Sequence, residues 1–320
     1  MSLISPVVPL AALLVGLLLT GCTEPQTAAT ATSAPPASTP PASEAKQPAR
    51  HPDVFGFRIG ALEAAALKDG DIDAANDGKT FGVGQPTDQV GAVLTAAGQP
   101  ADVLHLSIQP LLVRSGTRIL LFDTGAADAS FARAGRLPAS LRAAGVEPEQ
   151  VTDVFLSHRH PDHAGGLLTG EGTPAFPNAT IHLAAPEWQA LQDDRDAAPL
   201  VAAIAPKVAA FQPGAVLLPG VVTAVAMDGH TPGHSAYEIV SGDERLLYIG
   251  DSAHHFVVSV QRPEWTVQYD ANAPLAQTRR RALLQRAADD DLRVYAVHLP
   301  FPGLGRVRAR DASFVWEAER

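Results

Sequence analysis

The stretch "SHRHPDHAGG" (residues 157–166) places three of the chain's 11 histidines and one aspartate within a few positions. It follows a short apolar run, and residues 152–157 are predicted to form a strand that ends at this point. The polar side chains are therefore expected in a loop at the carboxyl end of a strand.

The spacing of these side chains is typical of metal ligands. In the pattern His-x-His two side chains leave the chain on the same side, so His158 and His160 can bind one ion, with Asp162 and His163 within reach of a second. The alternatives are a polar loop that serves solubility, or a single structural zinc. A structural zinc normally has four protein ligands, often cysteines, and this chain has only Cys22.

Composition limits the function further. The chain has 320 residues, 46% of them hydrophobic, which is ordinary for a globular protein. Its 34 acidic residues exceed its 24 Lys and Arg and give a net charge of −10, so no basic surface for nucleic acid is expected. One cysteine permits no intramolecular disulfide, and a metal site in the body of the fold must use His, Asp or Glu.

The amino terminus differs from the rest of the chain. The apolar stretch "PLAALLVGLLLTGC" resembles a bacterial lipoprotein signal with its lipobox, which predicts a signal peptide over 1–22 and a lipid on Cys22. The opening "MSLIS" lacks the usual Lys or Arg, which leaves an uncleaved membrane anchor or a wrongly assigned start as alternatives. Residues 23–50, rich in Ala, Thr, Pro and Ser, are predicted to be a disordered tether. We expect a protein anchored by its lipid in the bacterial cell envelope and facing the periplasm, or exported, with one domain over 51–320.

Within that domain, predicted strands and helices alternate in blocks. Short apolar runs predict strands at 105–113, 118–125 and 293–298, and helical patterns appear at 137–145 and 274–290. Two sheets covered by helices fit this order.

The pattern His-x-His-x-Asp-His followed by Gly-Gly resembles the metallo-β-lactamase superfamily, and four later motifs occur in that family's order. They are "FDTG" with Asp123, "GHTPGHS" (229–235) with His234, "YIGDSA" (248–253) with Asp251, and "AVHLPFPG" (296–303) with His298. The resemblance implies an α/β fold, the αββα four-layer sandwich of that family.

The resemblance also implies a binuclear site. The ligands expected at metal one are His158, His160 and His234, and those expected at metal two are Asp162, His163 and His298. Asp251 would touch both ions, Asp123 would support the ligand loop, and His230 would brace a loop by hydrogen bonding. Zinc is the expected metal, although the same ligands also accept manganese, iron or cobalt. A hydroxide bridging the ions would attack an electrophilic centre, with Asp162 and Asp251 as the catalytic carboxylates.

Among the branches of that family, the chain most resembles the methyl parathion hydrolases. This rests on "LEAAALKDG", on the long stretch that begins "LPASLRAAGVEPEQ", and on "QTRRRALLQRAADDDLRVYAVHLPFPGLGRV". It implies a hydrolase of neutral esters, such as lactones, aryl esters and phosphotriesters including methyl parathion, and a homodimer. The alternatives are an acyl-homoserine lactonase in quorum quenching, a β-lactamase, or a metal-binding lipoprotein without turnover.

Several side chains are candidates for the substrate pocket, with core packing as the alternative for each aromatic one. His254 stands where lactonases of the family have a tyrosine, three residues after Asp251. The candidates are Phe176, Trp188, His254, His255, Phe256, Trp265 and Phe301.

Overall fold

A computed structural model of the chain describes residues 51–319. The predicted signal peptide, Cys22 and the tether lie outside the described residues. Within them, no helix is both long and apolar enough to span a bilayer.

Eighteen strands and seven helices make up the described part of the chain. The strands are β1 (Val54–Ile59), β2 (Leu62–Leu67), β3 (Gly70–Ala75), β4 (Phe81–Val83), β5 (Val103–Ile108), β6 (Leu111–Ser115), β7 (Arg118–Phe122), β8 (Asp153–Phe155), β9 (Thr180–Ala184), β10 (Val208–Phe211), β11 (Val216–Leu218), β12 (Val222–Ala226), β13 (Ser235–Ser241), β14 (Glu244–Tyr248), β15 (Thr266–Val267), β16 (Arg293–Tyr295), β17 (Leu304–Arg310) and β18 (Ser313–Ala318). The helices are α1 (Thr87–Ala96), α2 (Leu137–Ala143), α3 (Pro161–Ala164), α4 (Ala185–Asp193), α5 (Ala198–Ile204), α6 (Val258–Gln261) and α7 (Ala273–Asp289).

Two mixed sheets of seven strands each form the centre. The order in the first sheet is β1-β2-β6-β7-β8-β9-β10, and in the second β11-β12-β13-β14-β16-β17-β18. Strands β7, β8, β9 and β10 pair in parallel, as do β14 and β16, and the other pairs in the two sheets are antiparallel. Two short ribbons, β3 with β5 and β4 with β15, stand outside the large sheets.

Side chains alternate between the two faces of the central strands, and both faces are buried. In β7, Leu120 and Phe122 enter the core between the sheets, whereas Leu121 faces the helices α2, α4 and α5. In β14, Leu246 enters the same core and Leu247 packs with α7. The layers therefore run helix, sheet, sheet, helix, which confirms the four-layer sandwich implied by the resemblance.

The strand predicted over 105–113 is wrong as a single element. The chain leaves β5, in a ribbon, at Ile108 and enters β6, in the first sheet, at Leu111. The break falls at Gln109 and Pro110, where the proline has no N–H for a ladder. The Gln109 side chain is buried and donates to the carbonyls of Ala296 and Leu299, which joins this corner to the loop that carries His298.

Five loops meet at one edge of the sandwich. They follow β7, β8, β12, β14 and β16, and they carry every side chain that the sequence motifs selected. Since β7 and β8 are parallel, and β12, β14 and β16 also run in one direction, their carboxyl ends lie together. The fold thus gathers motifs that are far apart in sequence.

Candidate metal centre

Asp123 organises the loop after β8. Its Oδ1 accepts a hydrogen bond from the backbone N–H of Ser157 (2.7 Å), and its Oδ2 accepts from Ser157 Oγ (2.7 Å), His163 Nδ1 (2.7 Å) and the Tyr248 hydroxyl (2.6 Å). Asp123 itself has a φ of 59°, a conformation that Asp tolerates better than most residues. The short helix α3 then presents Asp162 and His163 to the site.

The first cluster consists of His158, His160, His230 and Asp251, whose ligand atoms all lie within 4.8 Å of one another. His230 Nε2 is 3.3 Å from His158 Nε2, 3.1 Å from His160 Nδ1 and 3.2 Å from Asp251 Oδ2. Three imidazole nitrogens and one carboxylate oxygen therefore converge on one point.

The second cluster consists of Asp162, His163 and His298. The Nε2 atoms of His163 and His298 are 3.2 Å apart, and they lie 3.7 and 3.4 Å from Asp162 Oδ2. Asp251 Oδ1 is 3.0 Å from each of those nitrogens, whereas its Oδ2 faces the first cluster. Asp251 therefore lies between the two clusters with one oxygen toward each.

The donor atoms fit two divalent cations. Asp251 Oδ1 has no hydrogen bond of good geometry although the Nε2 atoms of His163 and His298 lie 3.0 Å away. Buried polar atoms without partners are costly, and cations at the two convergence points would satisfy them. Imidazole and carboxylate donors suit zinc and related divalent ions.

The structure contradicts the predicted roles of His234 and His230, which are exchanged. Both nitrogens of His234 bond to backbone: Nδ1 lies 3.2 Å from the Met227 carbonyl, and Nε2 accepts from the N–H of Asp251 at 3.0 Å. His234 thus steadies the turn that carries Asp251, and His230 enters the first cluster. The motif "GHTPGHS" contains two histidines four positions apart. The path of the Thr-Pro-Gly turn between them determines which one faces the first cluster.

A hydrogen bond fixes the outer nitrogen of three cluster histidines. His163 Nδ1 bonds to Asp123 and His298 Nδ1 to the Ser107 carbonyl (2.7 Å). The Nδ1 atom of His230 bonds to Asp270 (2.9 Å). Such partners select the tautomer that turns Nε2 toward a metal.

Buried charges shift the pKa values of the metal-free site in opposite directions. Burial, together with the charge on the neighbouring His230, lowers the pKa of His234 to about 3, so this ring is neutral. Burial also lowers the pKa of His230, but the carboxylates of Asp251 and Asp270 outweigh it and raise that pKa to about 9. The pKa of His163 is raised well above its usual value because Asp251, Asp162 and Asp123 together outweigh burial. In the metal-free site, His230 and His163 therefore carry an extra proton in the space where cations would bind, whereas burial lowers the pKa of His158 and keeps that ring neutral.

A cavity of about 440 Å³ opens onto both clusters. His160, Asp162, Asp251, His254 and His298 lie at its base. Its walls come from the ribbons and from two loops, namely Ile72, Asp73, Ala74, Thr80, Phe81, Leu106, Phe131, Pro161 and Tyr269.

Of the seven pocket candidates, only His254 lines this cavity. Phe176 and Trp188 pack in the core between the first sheet and its helices, and Phe301 packs against the core between the sheets. Phe256 and Trp265 pack beside α6. His255 accepts hydrogen bonds from the N–H groups of Val257 and Val258 and so caps that helix.

Apart from Pro161, the wall residues that were not predicted belong to no sequence motif. Phe81 lies on a strand of three residues, and Phe131 and Tyr269 lie on loops. The side chains of Phe131 and Tyr269 are 51% and 53% exposed, which is unusual for large rings. This exposure, visible only in the folded structure, marks them as candidate substrate contacts.

Comparisons with known proteins agree with this geometry. A family model described as the metallo-beta-lactamase superfamily matches residues 106–298. A probable metallo-hydrolase of Mycobacterium tuberculosis is 25% identical over 279 residues, which cover 67% of this chain and 85% of that protein.

Two solved structures share the fold over most of the chain. AidC, a dizinc quorum-quenching lactonase in complex with the product N-hexanoyl-L-homoserine, is 28% identical, with a TM-score of 0.78 over 83% of this chain and 97% of that one. The hydrolase AbOPH of the beta lactamase superfamily is also 28% identical, with a TM-score of 0.77 over 85% and 99% of the two chains.

Proposed function

Because the chain belongs to the metallo-beta-lactamase superfamily and is a metal-dependent hydrolase, we propose that it cleaves neutral esters, with lactones and aryl esters as its substrates. The observation that carries this proposal is the cavity over the two clusters. Its walls are mostly apolar, and among the described residues none that line it is Lys or Arg.

The cavity offers no cationic side chain to an anionic substrate. Outside the two clusters its lining has one carboxylate, Asp73, which is paired with Arg133 (2.6 Å), and it has no Lys or Arg. A penicillin carboxylate would therefore find no cationic side chain to bind it, whereas a neutral ester needs none. This disfavours the β-lactamase alternative and leaves phosphotriesters, which are uncharged, as a further substrate class.

The residues at the base of the cavity fit hydrolysis. Two divalent ions at the clusters, zinc by the chemistry of the donors, would supply Lewis acidity and lower the pKa of water. Asp251 holds the two clusters in one frame because it presents an oxygen to each. His254 lines the cavity with its Nε2 atom 3.2 Å from Asp251 Oδ2. Burial lowers its pKa, so the neutral ring would have one N–H with which to bind a substrate oxygen in place of Asp251.

Phe131 and Tyr269 stand at the mouth of the cavity. Their exposed rings, with Phe81 deeper inside, offer an apolar surface to an acyl chain or an aryl leaving group. Positioning a substrate in this way accounts for specificity without any charged contact.

Acyl-homoserine lactones are a second candidate substrate. They combine a neutral lactone with an apolar chain, which suits both the base and the walls of the cavity, and AidC is a quorum-quenching lactonase that binds the product N-hexanoyl-L-homoserine. If they are the native substrates, kcat/KM should rise with acyl chain length and exceed the value for a simple γ-lactone. A flat dependence would favour a general esterase.

The test is hydrolysis of a substrate panel by the zinc-loaded and the chelator-treated chain. The panel holds p-nitrophenyl acetate, a γ-lactone, an acyl-homoserine lactone, a penicillin and methyl paraoxon. We expect chelator-sensitive turnover of the neutral esters, loss of it in Asp251→Asn, and retention in the control Asp243→Asn, which alters an exposed turn. Penicillin as the best substrate, or ester turnover that survives Asp251→Asn, would overturn the proposal.

We also propose the envelope location and the homodimer. Lipidation of Cys22 predicts that the full chain sediments with membranes and that Cys22→Ser releases it. Light scattering of the released variant measures the oligomeric state, and a monomer would contradict the dimer.

A further inference from the structure

Arg280, on α7, is almost wholly buried, with 1% of its surface exposed. Its Nε donates to the Ser252 carbonyl (2.9 Å), and its Nη1 donates to the carbonyls of Pro263 (3.0 Å) and Trp265 (3.3 Å). Its Nη2 donates to Asp270 Oδ2 at 2.9 Å. A buried guanidinium is costly unless it is fully paired, and here each nitrogen has a partner. None of these partners belongs to α7.

One branch of this network reaches the first cluster through Asp270. The Asp270 carboxylate is buried, and its Oδ1 accepts from His230 Nδ1 at 2.9 Å. Two backbone bonds hold the same segments together, from Ala271 N to the His230 carbonyl (3.0 Å) and from Asn272 N to the Gly229 carbonyl (2.8 Å). The ring of His230 is therefore fixed by a carboxylate that Arg280 in turn fixes.

The other branch reaches the same cluster through the backbone. Ser252, whose carbonyl accepts from Arg280, directly follows Asp251 in the turn Gly250–Ser252. Arg280 thus contacts two segments that support the first cluster. One contains Asp270, which orients His230, and the other contains Ser252, which follows Asp251. The second cluster has different supports, Asp123 behind His163 and the Ser107 carbonyl behind His298.

We propose that the buried Arg280–Asp270 pair is a positioning device for the first cluster and sets the metal affinity of that cluster more strongly than that of the second. This inference rests on the proposed metal centre but not on the identity of the substrate. An outer partner of a metal-binding histidine typically changes metal affinity by about 10- to 100-fold.

Asp270→Asn is the decisive variant. An asparagine cannot accept from both His230 and Arg280 with two oxygens, because one of its two ends is now an N–H donor. Either His230 loses its acceptor or Arg280 faces another donor. We expect the dissociation constant of one of two bound ions to rise about 10- to 100-fold, with a smaller change in the other. Arg281→Met is the matched control, since Arg281 is the next residue on α7 but is exposed.

The measurement is metal binding by the full chain, independent of turnover. Equilibrium dialysis against zinc gives the number of ions and their affinities. Substitution with cobalt gives an absorption spectrum that reports the ligand geometry of each ion. Circular dichroism of the metal-free variants checks the fold, and Arg280→Lys, which keeps the charge but offers fewer directed donors, provides a second variant if Asp270→Asn does not fold.

Each outcome is decisive. Selective loss of one ion in Asp270→Asn or Arg280→Lys, with the control unchanged, supports the proposal. Wild-type affinity for both ions, or equal weakening of both, overturns it while the proposed hydrolase stands. A wild-type chain that binds fewer than two ions overturns the metal centre and this inference together.

Discussion

Replacing Asp123 by asparagine should selectively disable the second cluster. The Oδ2 atom accepts three hydrogen bonds, from Ser157 Oγ, His163 Nδ1 and the Tyr248 hydroxyl, while Oδ1 accepts from the Ser157 backbone. If the asparagine oxygen keeps the hydrogen bond from the Ser157 backbone, its NH2 group takes the place of Oδ2. That NH2 group then faces the three groups that donate to Oδ2 in the wild type. The two hydroxyl groups can rotate and accept, but a ring N–H cannot.

The response of His163 therefore determines how much metal affinity the variant loses. To accept from the new NH2 group, His163 must move its proton to Nε2, and that proton occupies the position through which the ring would bind metal. Loss of such an outer partner costs about 10- to 100-fold in metal affinity, which corresponds to about 1.4–2.8 kcal/mol. Because a hydrogen bond to a charged group is lost as well, the metal-free protein should be less stable by about 1.5–3 kcal/mol.

The assay is zinc competition with a chromophoric chelator, followed by urea unfolding of the metal-free protein. We expect one of two zinc ions to bind more weakly in Asp123→Asn, and the affinity lost should belong to a different ion from that lost in Asp270→Asn. Asp128→Asn, an exposed aspartate of the same loop, is the control. Asp123→Asn with wild-type affinity for both ions would refute the argument from the tautomer.

Three further predictions concern stability and specificity. Burial raises the pKa of Asp153, but hydrogen bonds from His182, Arg118 and Thr152 outweigh it and hold this pKa below its usual range. These bonds therefore stabilise the fold above the unfolded pKa of about 3.9, and their contribution is lost as the pH falls below it. Asp153→Asn should lower the free energy of unfolding in urea by about 1–3 kcal/mol at pH 7, and a difference from wild type that does not shrink below pH 4 would be inconsistent with this. Phe131→Ala and Tyr269→Ala should raise KM for long-chain or aryl esters more than for acetate esters, with little change in melting temperature; equal effects on all esters would remove these rings from the pocket. Gly166→Ala should lower the melting temperature because its Cβ would lie 2.1 Å from the Thr124 carbonyl oxygen, whereas Gly170→Ala, with no atom within 4 Å, should not; similar melting temperatures for the two would contradict the packing seen here.

The sequence predicts the parts of this molecule that depend on local spacing. The αββα layering follows from the order of strands and helices together with the family motifs, and the ligands His158, His160, Asp162 and His163 lie close together because they share one turn of chain. The helix predicted over 274–290 is confirmed as Ala273–Asp289.

What depends on the path of the chain could not be predicted. Whether His230 or His234 turns inward is decided by backbone contacts to Met227 and Asp251. The walls of the cavity come from ribbons and loops that are brought together only by the folded chain, so Phe81 and Tyr269 carry no signal in the sequence.

The two sheets each contribute only part of either cluster, and this has a thermodynamic consequence. His158 and His230 are 72 residues apart, and a single ion bound by both closes that length of chain into a loop. A disulfide of this span would also restrict the unfolded chain, but a metal link is released on unfolding. Each ion would therefore stabilise the fold by mass action, by about 2.7 kcal/mol when free metal is at 100 times its dissociation constant. A protein with one cysteine would thus gain from bound metals a link between its sheets that no intramolecular disulfide can supply, and its resistance to unfolding would depend on metal supply rather than on redox conditions.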